Sequence, residues 1–115
     1  MTINFDDCLF YHSLDLPVHG EIKGLCDVKP LFPVMFNNLN LNNKKILEIG
    51  PASGSLTFEM ERRGGDLTCL ELGDNNDWDF VPRKLDSEVK KIKYTYEKDL
   101  KKVKNSFHYA KKLLN

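Results

Sequence analysis

Cysteine is scarce in this chain and badly spaced for cross-linking. Cys8, Cys26 and Cys69 are the three cysteines in 115 residues, with no Cys-x-x-Cys pair among them. An odd, scattered set of this kind is not a disulfide framework. No run of apolar residues is long enough to cross a bilayer, so no membrane association is expected. There is no charged, apolar, small-residue leader either, and the cytoplasm is the expected location. Net charge is also missing: seventeen Lys and Arg balance seventeen Asp and Glu. Metal-binding patterns are thin. His12, His19 and Cys26 are evenly spaced, but their segment is broken by Pro17, Gly20 and Gly24 and does not read as a helix. Even spacing therefore puts no three ligands on one face, and a structural zinc would want a fourth, so no metal is expected. Asp74, Asp77 and Asp79 lie in an acidic loop that lacks the glycine and terminal glutamate of a calcium loop.

What is present is concentrated between Lys45 and Leu72. Ile46, Leu47 and Ile49 form a short apolar run bounded by turn signals, which suits a buried parallel strand. Gly50, Pro51, Ala52, Ser53 and Gly54 make a tight turn. Ser55 to Arg63 suits a short helix, ended by the Gly64-Gly65 pair. Leu67, Cys69 and Leu70 then start a second strand that finishes at Glu71. A right-handed crossover would make the two strands parallel and put the turn at their carboxyl ends, where open α/β sheets bind ligands. Gly50 and Gly54 would let backbone approach a ligand, and the helix behind them presents unpaired N–H groups. Glu71 would hang over the same crevice, where a carboxylate can accept both hydroxyls of a ribose. Glu48 sits inside an apolar strand, and a buried carboxylate needs partners. A dinucleotide fingerprint would not need Glu48 and would want a third glycine near Ser55, which is absent.

Charge is uneven along the chain. Acids outnumber bases up to Pro82, and lysines dominate from Arg83. The lysines fit a solvated helix face, and they leave nucleic acid open as a partner. Leu85, Val89, Ile92, Tyr96, Leu100, Val103, Phe107, Ala110 and Leu114 recur by threes and fours, which predicts one long amphipathic helix or two shorter ones. Pro30 to Leu39 suits an earlier helix, with Leu31, Val34, Met35 and Leu39 on the face that would cover the sheet. Trp78 would cap the crevice beside Glu71 or anchor its loop to the core. Cys69 alternates into a strand and reads as a small core residue.

Glu48-Ile49-Gly50-Pro51-Ala52-Ser53-Gly54 resembles the first motif of the class I S-adenosylmethionine-dependent methyltransferases, acidic-x-Gly-x-small-x-Gly. Glu71 stands where that family has its acidic residue after the second strand. Weaker matches at Phe10 to Gly24, Trp78 to Pro82 and Lys101 to Leu114 are similar to a bacterial subgroup of the family. The resemblance implies an α/β, incomplete Rossmann-like fold: an N-terminal extension over 1–29, a partial cofactor-binding unit over 30–82 and a basic amphipathic helix over 83–115. It implies that Gly50, Pro51, Ala52, Ser53 and Gly54 line the methionine and ribose part of S-adenosylmethionine. Glu71 would hold the ribose, Leu72 would pack on the adenine, and Glu48 would reach toward the cofactor amino group through water. Ala52 replaces a glycine common in the family, and Leu25-Cys26-Asp27 lacks the subgroup's aromatic before the aspartate. Tyr11 and His12 match a Tyr-His pair of the subgroup, which would approach the cofactor or substrate or else serve packing. Asn105, Ser106 and His108 match in part and gain no chemical role.

Members of that family are about twice as long as this chain, so the resemblance implies a truncated methyltransferase-like domain that keeps the cofactor half-site. Its catalytic residues and methyl acceptor are not legible. Cofactor binding is expected to be weak and turnover by the chain alone negligible, unless self-association or a partner supplies the missing half. Two other classes compete. One is a nucleotide-binding module. The other is a non-catalytic interaction protein that uses the basic helix, and its mark would be a helix that stands free of the sheet.

Overall fold

A computed structural model describes residues 2–74 and 86–115. A hairpin of β1 (Leu14–Leu16) and β2 (Gly20–Ile22) comes first, followed by a five-residue helix α1 (Phe32–Phe36). Strand β3 (Lys45–Ile49), helix α2 (Ser55–Arg62) and strand β4 (Asp66–Leu70) form the next unit. The long helix α3 (Asp86–Leu114) ends the order. The fold is mixed α/β. Trp78, Asp77, Asp79, Leu85 and the whole Trp78 to Pro82 match lie outside the described residues.

Strands β3 and β4 pair in parallel, in register from Lys45 opposite Asp66 to Ile49 opposite Leu70. Side chains alternate between the two faces of a strand. Ile46, Glu48, Leu67 and Cys69 therefore share a face, and all four are half-buried on the side where α2 packs. Leu47, Ile49 and Leu70 share the other face and are 62%, 75% and 58% exposed. The sequence suits strands covered on both sides, whereas among the described residues one face is covered, by α2.

The helix expected over Pro30 to Leu39 is broken up. Lys29–Leu31 form a single 3-10 turn and α1 restarts at Phe32. Proline has no N–H, so Pro33 cannot continue the preceding turn, but it costs nothing in the first turn of a new helix. Leu31, Val34, Met35 and Leu39, the face expected to cover the sheet, are exposed. The buried residue is Phe36, whose ring lies under the Arg63 guanidinium at 4.9 Å.

The densest packing joins distant parts of the chain. Phe10, Leu14 and Leu16 bury themselves against Ala110 of α3, with Ile22, Phe58, Tyr109 and Leu113 around them. Burial on α3 falls on Val103, Ser106 and Ala110, spaced three and four apart as one helix face requires. At about 1.5 Å per residue, 29 residues nearly span the molecule's longest dimension of 48 Å. The helix is continuous, and its buried side chains all fall in the second half. Residues 86–99 include no buried side chain, and Tyr94 is 68% exposed.

Candidate functional site

The turn after β3 has three residues with left-handed backbone: Gly50 (φ 73°), Ala52 (φ 49°) and Gly54 (φ 91°). Such angles suit glycine and cost an alanine about 1 kcal/mol. Ala52 therefore stands where glycine would relieve strain. The Gly50 N–H donates to the Leu70 carbonyl at 2.8 Å, which ties the turn to the end of β4. The Gly54 N–H donates to the Pro51 carbonyl at 2.8 Å, and α2 begins at the next residue.

Glu71 closes the same end of the sheet. Its carboxylate accepts the Ala52 N–H at 3.1 Å on one oxygen and the Leu72 N–H at 2.8 Å on the other. Each oxygen keeps a lone pair for a further donor. Gly50, Ala52 and Glu71 line a cavity of about 500 Å³, walled further by Leu9, Tyr11 and Leu25 from the N-terminal segment. Tyr96, Asp99, Leu100 and Val103 of α3 complete it. A neighbouring recess of about 250 Å³ shares Ala52 and Glu71 and adds Pro51, Cys69, Lys104 and His108. Another cavity, of about 460 Å³, lies by Asp15, Lys29, Glu59 and Arg62. Its two cations are already paired, Lys29 with Asp15 at 3.4 Å and Arg62 with Glu59 at 2.6 Å.

Ser53 is fully buried and works as a clamp. Its hydroxyl accepts the Tyr11 N–H at 2.7 Å and lies 2.9 Å from the Ser106 hydroxyl, itself 2.6 Å from the Val103 carbonyl. A hydroxyl has one hydrogen and a carbonyl can only accept. With the Ser106 hydrogen on the Val103 carbonyl, Ser53 donates to Ser106, and the relay runs from the N-terminal segment through the turn into α3. Asn105 adds a second tie, donating from Nδ2 to the Asp7 carbonyl at 3.0 Å.

Glu48 does not line the cavity. It lies beneath α2, where its carboxylate accepts the Thr57 hydroxyl and sits 3.9 Å from the Cys69 thiol. Burial pushes the Glu48 carboxyl above the ordinary range, against the opposing pull of those two donors. It fastens β3 to α2 and β4. Burial also raises the Cys69 thiol and pushes Cys8 up to about 11, so neither is a thiolate at neutral pH.

Tyr11 and His12 point to different fates. Tyr11 borders the cavity, while His12 is buried with Nδ1 unpartnered among the described residues, and burial lowers its pKa. His19 Nε2 meets the Tyr109 hydroxyl at 2.8 Å and its ring stacks on Phe5. Cys26 pairs through its backbone with Tyr11 and Ser13. Among the described residues, no three His, Cys, Asp or Glu side chains gather as a metal site. Sequence reasoning singled out Tyr11 through its Tyr-His pair and missed Leu25 beside it. Its signal was Gly24, where a Cβ would run into the His12 backbone; only glycine lets the two segments meet.

Over 55 residues the chain is 40% identical to the ubiquinone biosynthesis O-methyltransferase of Nitrosococcus oceani. The matched stretch is 47% of this chain and 23% of that protein. The chain is thus similar to a methyltransferase over part of its length. No protein-family profile matches it, and no solved structure does. Among the described residues no helix is long and apolar enough to cross a membrane.

Proposed function

We propose that this chain is a methyltransferase-like domain, an incomplete Rossmann-like unit that binds S-adenosylmethionine in the cavity at Gly50, Ala52 and Glu71. The observation that carries the reading is the Glu71 carboxylate, set at the end of β4 and bonded to the Ala52 N–H across the left-handed turn. The cavity fits the group in three ways. Its volume of about 500 Å³ lies within the usual range for small-molecule sites. A Cβ at Gly50 would meet nothing within 4 Å, so the backbone there is open to a ligand. Glu71 keeps lone pairs for two hydroxyls. In this reading Glu71 holds the ribose, the Gly50 to Gly54 turn receives the methionine part, and Leu72 packs on the adenine. Ser53 and Pro51 hold the turn's shape, and Glu48 acts through Thr57 on the helix behind it.

The bound donor supplies an electrophilic methyl group. Transfer requires an acceptor held in line with it, so we assign the isolated chain binding rather than turnover. Calorimetric titration with S-adenosylmethionine tests this on the intact chain and on Glu71→Gln. Removal of hydrogen bonds to a charged group should weaken binding about ten-fold. Equal affinity for the two proteins would refute the site, and preference for ATP or NAD would favour a nucleotide-binding module. A second reading, an anionic partner such as nucleic acid on α3, is favoured by the nine lysines that this helix sets against four acidic residues. It requires salt-sensitive binding to an oligonucleotide.

A further inference from the structure

We infer that the cavity selects for positive charge and holds a sulfonium donor more tightly than the uncharged thioether that remains after transfer. The inference rests on the proposed donor site and concerns its selectivity. Two carboxylates, Glu71 and Asp99, and two phenols, Tyr11 and Tyr96, line the cavity, and among the described residues no Lys, Arg or His does. That composition is unexpected on this helix. Nine of the residues in α3 are lysine, and Asp99 follows Lys98 and precedes Lys101 and Lys102. Helical spacing separates them, because residues three and four apart share a face while adjacent ones diverge. Asp99 thus keeps company with Tyr96 and Val103, both of which also line the cavity. Lys104 is taken up by Asp74 at 3.0 Å, and Lys101 borders a different recess beside Gly73 and Asp74.

The two carboxylates are not equivalent. Glu71 spends part of its charge on two backbone N–H groups. The Asp99 side chain makes no hydrogen bond or ion pair within the described residues. The remaining lining is mostly aliphatic, and a charge beside apolar walls is felt more strongly than one in open water. Aromatic faces add attraction for a cation.

The chemistry of transfer changes the ligand's charge by one unit. The acceptor's lone pair forms the new bond to the methyl carbon as the carbon–sulfur bond breaks. That bond's electron pair stays on sulfur, the sulfonium becomes a neutral thioether, and the acceptor's proton goes to solvent. A cavity whose described lining carries charge of negative sign alone attracts the sulfonium form more than the thioether.

The test is calorimetry with three named ligands: S-adenosylmethionine, S-adenosylhomocysteine, and sinefungin, which carries an ammonium near the position of the sulfonium. Both cationic ligands should bind roughly three-fold more tightly than the thioether. Asp99→Asn should bring the ratio close to one, and added salt should shrink it in the wild type. Asp99 is exposed on a helix, and circular dichroism checks that the variant stays folded. Equal binding of all three ligands, or a ratio insensitive to Asp99→Asn, overturns the charge selection and leaves the donor site standing. Absence of binding by any ligand, or binding indifferent to Glu71→Gln, overturns both.

Discussion

Gly54→Ala and Gly50→Ala should behave very differently, although both glycines bound the same turn and both have left-handed backbone. At Gly54 an added Cβ would lie 2.6 Å from the Phe58 ring and 2.9 Å from the Phe107 ring. Those rings are stacked at 5.4 Å and join α2 to α3, so neither can swing away without opening the packing between the helices. Forcing a methyl group into a packed site costs about 1–3 kcal/mol, and the left-handed backbone adds about 1–2 kcal/mol for an alanine. The stiffer unfolded chain returns about 0.4–1 kcal/mol. The net loss at Gly54 is about 2–4 kcal/mol. At Gly50 the Cβ meets nothing within 4 Å, so only the backbone contribution remains and the loss is about 1 kcal/mol. Urea unfolding followed by helical circular dichroism measures both. Gly54→Ala should lower the melting temperature by roughly 10 °C. The ligand effect should run the other way, with Gly50→Ala impairing donor binding out of proportion to its stability. Stability losses within about 0.5 kcal/mol of each other would refute the packing argument.

Two further outcomes are expected. Val18, in the loop between β1 and β2, has φ 74° and is 96% exposed, a conformation that disfavours a β-branched side chain. Val18→Asn should raise stability by about 1 kcal/mol in thermal unfolding, and any loss would count against the strained turn. Glu48 titrates above the ordinary carboxylate range because it is buried, so the folded protein holds that proton more tightly than the unfolded chain. Its contribution is full below the unfolded carboxyl pKa, about 4.3, and is lost as pH rises through the higher folded value. Glu48→Gln should match the wild type near pH 4 and exceed it at pH 8 in urea midpoints; a variant weaker at pH 8 would reverse the sign.

The strand-turn-helix-strand unit was legible because its signals are local. Alternating side chains mark β3 and β4, Gly50 and Gly54 mark the turn, and Glu71 falls at the matching end by simple counting. The α3 stripe was legible for the same reason. Elements that depend on tertiary partners were not. The hairpin of β1 and β2 has three-residue strands, too short for a clear period, and it forms because Leu14 and Leu16 find Ala110. Leu31, Val34, Met35 and Leu39 read as a buried helical face, but Pro33 interrupts the turn on which that face depends. Ser53 looked like a ligand-contact residue by its place in the motif; its partners, Tyr11 and Ser106, are far away in sequence. Asp99 carried no reading in the sequence, and the fold brings it to the cavity that Glu71 also lines.

The ties between residues 7–16 and residues 102–113 have a consequence for how the chain reaches its native state. Leu9 donates to the Lys102 carbonyl, Asn105 reaches back to Asp7, and Phe10 packs with Ala110. Contacts spanning most of the chain close the largest loops available and repay their entropy last. During synthesis the hairpin emerges early and has nothing to bury itself against until α3 has left the ribosome. The glycine turn shares that fate, since Ser53 is held from both sides by the same late-meeting segments. Order in the crevice is thus a product of the final stage of folding rather than of its first local steps.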